Sequence, residues 1–265
     1  MNKYFILAVL ALFISKLSGQ TEINRLSLNE AIDIGIKQNP ELMQSAENIN
    51  AAKGRFWKGI SLPQPELELS LEYAPVNTSL SNYSERTFAI SQSFEFPTNY
   101  FLKGNKYSKE EEIALEQFLL KKYELVKQIK STYFNVLADQ SIVKYSEENL
   151  IISDDFYKKA QISYNVGEGT NIEELTAKVQ LSEAKNKLEI AKNNLNTSLA
   201  ELNYVLGYGN QNKTSSLQLT DSLVYTEHNL SLETVYQTAE ETNPQIKEAE
   251  LNNGIAGVEK TLAWS

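Results

Sequence analysis

The sequence predicts a mainly α-helical protein with one pair of β-strands, in which a long antiparallel helical hairpin is the largest element. Two observations support this fold class. Proline, which breaks helix interiors, is absent between Pro97 and Pro244, so long helices can form there. Before Pro97 the hydrophobic pattern has a period of two residues, which is typical of strands.

The proline-free stretch predicts two long helices, at residues 100–165 and 171–206. Between residues 105 and 165 the first would be about 90 Å long at 1.5 Å per residue. The second contains a heptad pattern with small residues on one line, which allow close approach of helices. Its two lines are Ala177, Ala184, Ala191, Ser198 and Val205, and Leu181, Leu188, Leu195 and Leu202. The predicted turn of the hairpin is Val166, Gly167, Glu168, Gly169 and Thr170.

Two strands are predicted at residues 65–75 and 86–96, because apolar and polar residues alternate there. The apolar positions are Leu67, Leu69, Leu71, Tyr73, Phe88, Ile90, Phe94 and Phe96, with an interruption at Gln92. The acidic positions on the other side are Glu66, Glu68, Glu72 and Glu95. Each run has the length that a tilted strand needs to cross hydrocarbon. A sheet that packs on a soluble core would show the same alternation.

Residues 1–19 have the pattern of a signal peptide. Lys3 precedes an apolar run from Phe5 to Ile14, and the small residues Ser18 and Gly19 follow. We therefore expect the mature protein to be exported. The chain has no cysteine, which excludes disulfides and a lipid-modified cysteine. Its net charge of −9 argues against a nucleic-acid partner.

An internal repeat is expected, because eight residues recur at a constant offset of 204 positions. The recurring residues are Leu26, Ser27, Leu28, Asn39, Pro40, Asn48, Ala52 and Ser61, which match Leu230, Ser231, Leu232, Asn243, Pro244, Asn252, Ala256 and Ser265. The predicted organisation is a first repeat over 20–229, with helices in 26–60 and a linker at 207–229. Residues 230–265 are then the truncated start of a second repeat.

Neither catalytic nor metal-binding nor cofactor-binding residues are predicted. His228 is the single histidine of a chain without cysteine, and the sequence has no phosphate-binding glycine loop and no nucleophile elbow. We therefore expect a protein that is not an enzyme. Two other classes would also have long helices: a periplasmic coiled-coil adaptor of the membrane-fusion type and a purely structural coiled coil. An adaptor would add a glycine-rich lipoyl-like domain, and a structural coiled coil leaves the strands unexplained.

The order of these features resembles the N-terminal half of the outer membrane efflux protein family, the TolC-like channels. The resemblance rests on the opening from Ala31-Ile32 to Asn39-Pro40, the strand pair, the long helix, and the turn followed by Glu174-Leu175. The stretch from Phe94 to Thr98, with Tyr100, is similar to the branch that serves heavy-metal exporters.

The resemblance implies a homotrimer in the outer membrane of a Gram-negative bacterium. Strands from each protomer would form one shared β-barrel, and the helices would form a tunnel (an α-barrel) in the periplasm. Export of small molecules or metal ions would be passive, driven by an inner-membrane pump. The turn at residues 166–170 would dock a periplasmic adaptor, and Glu66, Glu68, Glu72 and Glu95 would face the lumen.

Overall fold

The computed structural model describes residues 25–72, 85–208, 218–225, 227 and 230–264, so the predicted signal peptide and His228 lie outside the described residues. The described part of the chain is helical apart from two small sheets, which confirms the predicted fold class. In chain order its elements are β1 (Arg25–Leu26), α1 (Leu28–Gln38), α2 (Pro40–Ile60), β2 (Glu66–Glu72), β3 (Glu85–Ser91), α3 (Pro97–Asn165), α4 (Asn171–Val205), β4 (Gln218–Leu219), α5 (Leu232–Thr242) and α6 (Pro244–Leu262).

Chain contacts divide these elements between two compact units. The first contains the described residues of 25–40 and 123–227, and the second contains the described residues of 41–122 and 230–264. The hairpin turn therefore lies in the first unit, and the antiparallel strand pair lies in the second. Helix α3 contributes residues to both units.

The core of the first unit is built on the heptad lines of α4. Eight of the nine predicted seam residues are buried, and Leu195 is half-buried. Helix α3 contributes the buried side chains Leu125, Ile129, Tyr133, Val136 and Leu137. Because alanine and serine occupy one line of the seam, the α4 backbone can lie close to its neighbours. The heptad pattern thus identified the buried face of α4.

Helix α4 ends in a glycine turn that holds the corner between α1 and α2. Gly207 has a φ of 81°, a left-handed conformation that costs little for glycine. A Cβ atom at this position would lie 2.5 Å from the Gln38 carbonyl oxygen. The Asn39 side-chain amide donates to the Val205 carbonyl over 3.0 Å, which satisfies an acceptor that the helix end leaves without a partner. The corner is therefore fixed by one hydrogen bond and one close backbone approach.

The predicted linker at 207–229 contains a short strand that the sequence did not indicate. Strand β4 pairs with β1 in parallel. Next to it, the Asp221 carboxylate accepts hydrogen bonds from the Leu28 backbone N–H and the Tyr133 hydroxyl, each over 2.8 Å. Burial is the main cause, and the hydrogen bond to Asp221 the second cause, that raises the pKa of the Tyr133 hydroxyl to about 12. The linker is thereby attached to both α1 and α3.

Strand β3 of the second unit ends earlier than predicted. Strand β3 ends at Ser91 rather than at residue 96, because the chain leaves the ladder at Gln92, whose side-chain amide donates to the Pro63 carbonyl over 2.9 Å. Strand β2 covers Glu66–Glu72, and the rest of its predicted range, residues 73–75, lies outside the described residues. Helix α3 begins at Pro97 rather than at residue 100, since proline is favourable in the first helical turn.

The two helix pairs at the ends of the described chain have matching local structure. Helices α1 and α5 both contain 11 residues, and serine caps each of them, at Ser27 and Ser231. Both end at an Asn-Pro pair, after which α2 and α6 begin at Pro40 and Pro244. All of these positions differ by the same offset of 204 at which the sequence repeats.

Replacing Gly207 by alanine is expected to lower the free energy of unfolding by about 1–3 kcal/mol, since the new Cβ meets Gln38 and the backbone angle is strained. The control is Gly54→Ala in α2, where nothing lies within 4 Å of the new Cβ. Alanine there should raise stability by about 0.5–1 kcal/mol, because it favours the helix. Urea unfolding in detergent, followed by circular dichroism, measures both. Equal effects of the two substitutions would contradict the assigned role of Gly207.

Candidate functional site

The hairpin turn is an exposed helix reversal built from two complementary end structures. At the end of α3, the Glu168 N–H donates to the Ser163 carbonyl over 2.9 Å, and the Gly167 N–H donates to the Tyr164 carbonyl over 3.1 Å. With Gly167 at a φ of 81°, this is a Schellman motif. A Cβ at Gly169 would lie 3.1 Å from the Ser163 Cβ. Both glycines are therefore needed for the shape of the turn.

The start of α4 is held by a capping box. The Thr170 hydroxyl accepts from the Glu173 backbone N–H over 3.3 Å, and the Glu173 carboxylate accepts from the Thr170 N–H over 2.7 Å. The hydrogen bond from the Thr170 backbone N–H, and then one with the Thr170 side chain, hold the pKa of the Glu173 carboxyl below its usual value of 4.5. The turn thus has a defined geometry at both helix ends although it is exposed to solvent.

Apolar side chains surround this turn without being buried. Val166 is 64% exposed and Ile172 is 77% exposed. Ile162, Tyr164 and Leu175 are also exposed, each by 40% or more. Exposed apolar patches on a folded protein are typical of interaction surfaces. The five predicted turn residues therefore form the centre of a candidate docking surface within the first unit.

The strand pair of the second unit has one apolar and one polar face. Antiparallel register pairs Leu67 with Ile90 and Leu69 with Phe88 on one face. All four side chains are more than 60% exposed, so no other described element covers them. A sheet that packs on its own soluble core would bury this face. The described structure therefore does not support that alternative.

The predicted lumen residues do not all share one environment. Glu66 and Glu68 lie on the polar face, opposite Ser91 and Ala89, and both are exposed. Glu72 is paired with Glu85 in the same register, while its side chain lies outside what the structure describes.

Glu95 is different, because it lies beyond the end of β3. Its carboxylate forms a 2.5 Å ion pair with the Lys103 ammonium group at the start of α3. Strand alternation therefore does not predict a lumen-facing position for Glu95.

Metal-binding clusters and membrane-spanning helices are both absent from the described residues. No group of three or more His, Asp or Glu side chains there is arranged to hold a metal ion. None of the described helices combines the length and hydrophobicity that a membrane-spanning helix requires.

A protein-family comparison matches residues 31–208 to the family described as outer membrane efflux protein. The match includes the strand pair, helix α3, the hairpin turn and helix α4. It covers two thirds of the chain. A search of curated proteins found no match.

Solved structures of outer-membrane channels have the same fold. The Campylobacter jejuni CmeC outer membrane channel has a TM-score of 0.68 at 16% identity, with 88% of this chain and 53% of the channel covered. CusC, whose structures concern folding and transmembrane channel formation, has a TM-score of 0.67 at 17% identity, with 87% of this chain and 54% of CusC covered. The open state of the Neisseria gonorrhoeae MtrE channel has a TM-score of 0.66 at 14% identity, with 87% of this chain and 53% of the channel covered. The chain thus spans about half the length of these channels.

The capping box predicts a pH-dependent stability of the hairpin. Since the folded-state pKa of Glu173 is lowered, its ionised form stabilises the fold above pH 4.5, and this contribution is lost as the pH falls through the lowered value. Glu173→Gln should therefore reduce Tm at pH 7, and the difference from the parent should disappear at lower pH. Thermal unfolding from pH 7 to pH 3 measures this. Glu174→Gln, outside the capping box, is the control, and a pH-independent difference for Glu173→Gln would contradict the assignment.

Proposed function

Because this chain belongs to the outer membrane efflux protein family, we propose that it is part of a channel through which small molecules or metal ions leave the periplasm passively. Members of this family reside in the outer membrane, which is the location of this chain, with its helical part in the periplasm. The observation that carries the proposal is the strand pair, whose exposed apolar face lies opposite the carboxylates of Glu66 and Glu68. Such a pair fits lipid on one side and water on the other.

A second repeat is proposed to start at residue 230. Helices α1 and α5 have the same length and the same serine cap, yet their burial differs. Ala31 and Gly35 of α1 are buried, whereas Val235 and Ala239, which occupy the corresponding positions of α5, are exposed. This difference supports a protomer in which α5 packs on a further hairpin, and a homotrimer of such two-repeat protomers.

The turn at residues 166–170 is proposed as the contact with a periplasmic adaptor, through which an inner-membrane pump supplies the energy for export. Support comes from the defined backbone and from the exposed apolar side chains around it. In this arrangement the chain has no catalytic role. The family match also argues against the alternative that the chain is itself an adaptor or a structural coiled coil.

Val166→Asp tests the docking surface. A charge in an apolar contact should weaken adaptor binding about tenfold, which corresponds to about 1.4 kcal/mol, and export should fall while the protein level in the outer membrane is unchanged. Accumulation of a fluorescent efflux substrate in cells, with an immunoblot for abundance, measures both. The matched control is Val224→Asp, since Val224 is 74% exposed in the same unit but far along the chain from the turn. Undiminished export in the first variant would rule out docking at this turn.

Replacing both Glu66 and Glu68 by lysine tests whether the polar strand face borders the conducting path. Reversal of two charges in a pore should reduce its preference for cations, so the reversal potential in a salt gradient should move towards that of an anion-preferring channel. Planar-bilayer recordings of the full-length channel give this value. Glu227→Lys, an exposed position in the linker, should leave the reversal potential unchanged. The lumen assignment fails if all variants behave alike.

A further inference from the structure

Two helices that occupy equivalent positions in the repeat both pack on α3 in the second unit. The first is α2, whose residues correspond to those of α6 at the offset of 204. Arg55 of α2 lies 3.8 Å from the Glu110 carboxylate, and a Cβ on Gly59 would overlap the Tyr107 ring. Residue numbers rise along α2 as they fall along α3, so the two helices are antiparallel.

Helix α6 is the second of these helices, and it contacts other residues of α3. The Gln117 side-chain amide donates to the Glu248 carboxylate over 2.7 Å. The Lys106 ammonium group lies 2.7 Å from the Glu259 carboxylate. Helix α6 is therefore also antiparallel to α3, and it lies against another side of that helix.

The two helices present different faces to α3, although their positions in the repeat are equivalent. Ala52 of α2 is buried, with 1% of its surface exposed, whereas the equivalent Ala256 of α6 is exposed. Asn48 and Asn252, another equivalent pair, both line the groove where the three helices meet. Helix α3 thus has two distinct binding faces, one for each helix.

Four charged side chains with alternating sign link the three helices. Arg55 of α2 lies next to Glu110 of α3. The Glu110 carboxylate lies 3.9 Å from the Lys106 ammonium group, which contacts Glu259 of α6. The hydrogen bond to Glu259 is the main cause that raises the pKa of Lys106 above its usual value of 10.5, so this group is cationic at neutral pH. Helix α3 therefore presents a carboxylate to α2 and an ammonium group to α6.

The charge at one equivalent position is reversed between α2 and α6. Arg55 and Glu259 correspond to each other at the offset of 204. An α2 helix placed on the α6 face of α3 would bring Arg55 to Lys106. An α6 helix placed on the α2 face would bring Glu259 to Glu110. Either exchange replaces attraction by repulsion.

The main effect of these pairs is selection between helices rather than stability. The side chains of Arg55 and Glu259 are 55% and 52% exposed, and ion pairs between exposed groups contribute little to folding. Opposed like charges nevertheless exclude wrong partners, as the charges beside a coiled-coil seam do. A wrong partner is available, because every further copy of this chain carries an α2 helix.

We propose that Lys106 and Glu110 make α3 a selective site, which accepts α6 on its positive face and rejects the α2 helix of a second copy of this chain there. A second copy is thereby prevented from inserting its first-repeat helix where the second repeat belongs. This inference rests on the proposed second repeat, and it adds the residues that determine which helices meet.

Charge reversal with rescue tests the selection in the full-length protein. Lys106→Glu and Glu259→Arg each oppose like charges, so the backbone amides of α6 should exchange with solvent about threefold faster, the effect expected for a partly exposed pair. The double variant restores opposite charges and should exchange at the parent's rate. Lys130→Glu makes the same charge change at an exposed position of α3 in the first unit, and it is the matched control. Hydrogen–deuterium exchange with mass spectrometry measures each variant.

Cross-linking between copies separates selection from simple stabilisation. Gln117 lies on the α6 face, and Gln44 of α2 is the equivalent of its partner Glu248. Chains with Gln117→Cys are co-expressed with chains that carry Gln44→Cys and treated with a short thiol cross-linker. Because the chain has no cysteine of its own, the product joining α3 of one copy to α2 of another can be identified. Lys106→Glu should raise its yield about threefold over the parent, since the α6 face then attracts Arg55.

Each outcome decides between selection and its absence. Faster exchange that the double variant reverses, together with the additional cross-linked product, supports selection. The inference is overturned if Lys106→Glu behaves like Lys130→Glu, if the double variant is not rescued, or if exchange rises without additional product. The mass of the parent protein in detergent tests the proposed trimer separately. A species other than a trimer would contradict that assembly, while the charge-reversal experiments still decide the selection.

Discussion

The first unit depends on one local structure that occurs twice, the left-handed glycine that ends a long helix. Gly167 and Gly207 have the same φ of 81°, and each follows a helix whose last carbonyls need partners. The first glycine lets α3 turn back into α4. The second lets the α1–α2 corner approach the end of α4 closely enough for Asn39 to bond to Val205. The two turns therefore define the chain reversal before α4 and the contact made at its end.

The turn at Gly207 is packed against other residues, whereas the turn at Gly167 is exposed. The first turn therefore contributes to stability, and the second is available to a partner. At Gly207 the turn is in close contact with Gln38, so its geometry contributes to stability. At Gly167 a Cβ atom would meet nothing within 4 Å, and Val166 and Ile172 extend into solvent. A turn that is rigid but uncovered is suited to recognition, because little order is lost when a partner binds.

The strand pair of the second unit exposes its apolar face, whereas Leu42, Ala52 and Ala114 are buried in the same unit. Leu67 and Phe88 remain exposed on the sheet face, and the polar face opposite carries Glu66 and Glu68. In water alone, such an arrangement would leave a large apolar surface uncovered, at a cost in free energy. A membrane, with hydrocarbon on one face of the strand pair and water on the other, removes this cost, which agrees with the proposed channel.

The sequence by itself determined the local elements: the heptad seam of α4, the glycine turn, the alternation of Leu67 and Leu69, and the recurrence of the serine-capped helices. These depend on neighbours within a few turns, so periodicity reveals them. Tertiary structure alone decided that β3 stops at Ser91, where Gln92 bonds to Pro63, and that β4 returns to β1. Both require contact between residues remote in sequence, which no local pattern encodes. The pairing of Glu95 with Lys103 joins the end of the strand segment to α3, and the alternation of the strand did not reveal it. The turn at residues 166–170 was thus foreseeable, whereas the pairing of β4 with β1 was not.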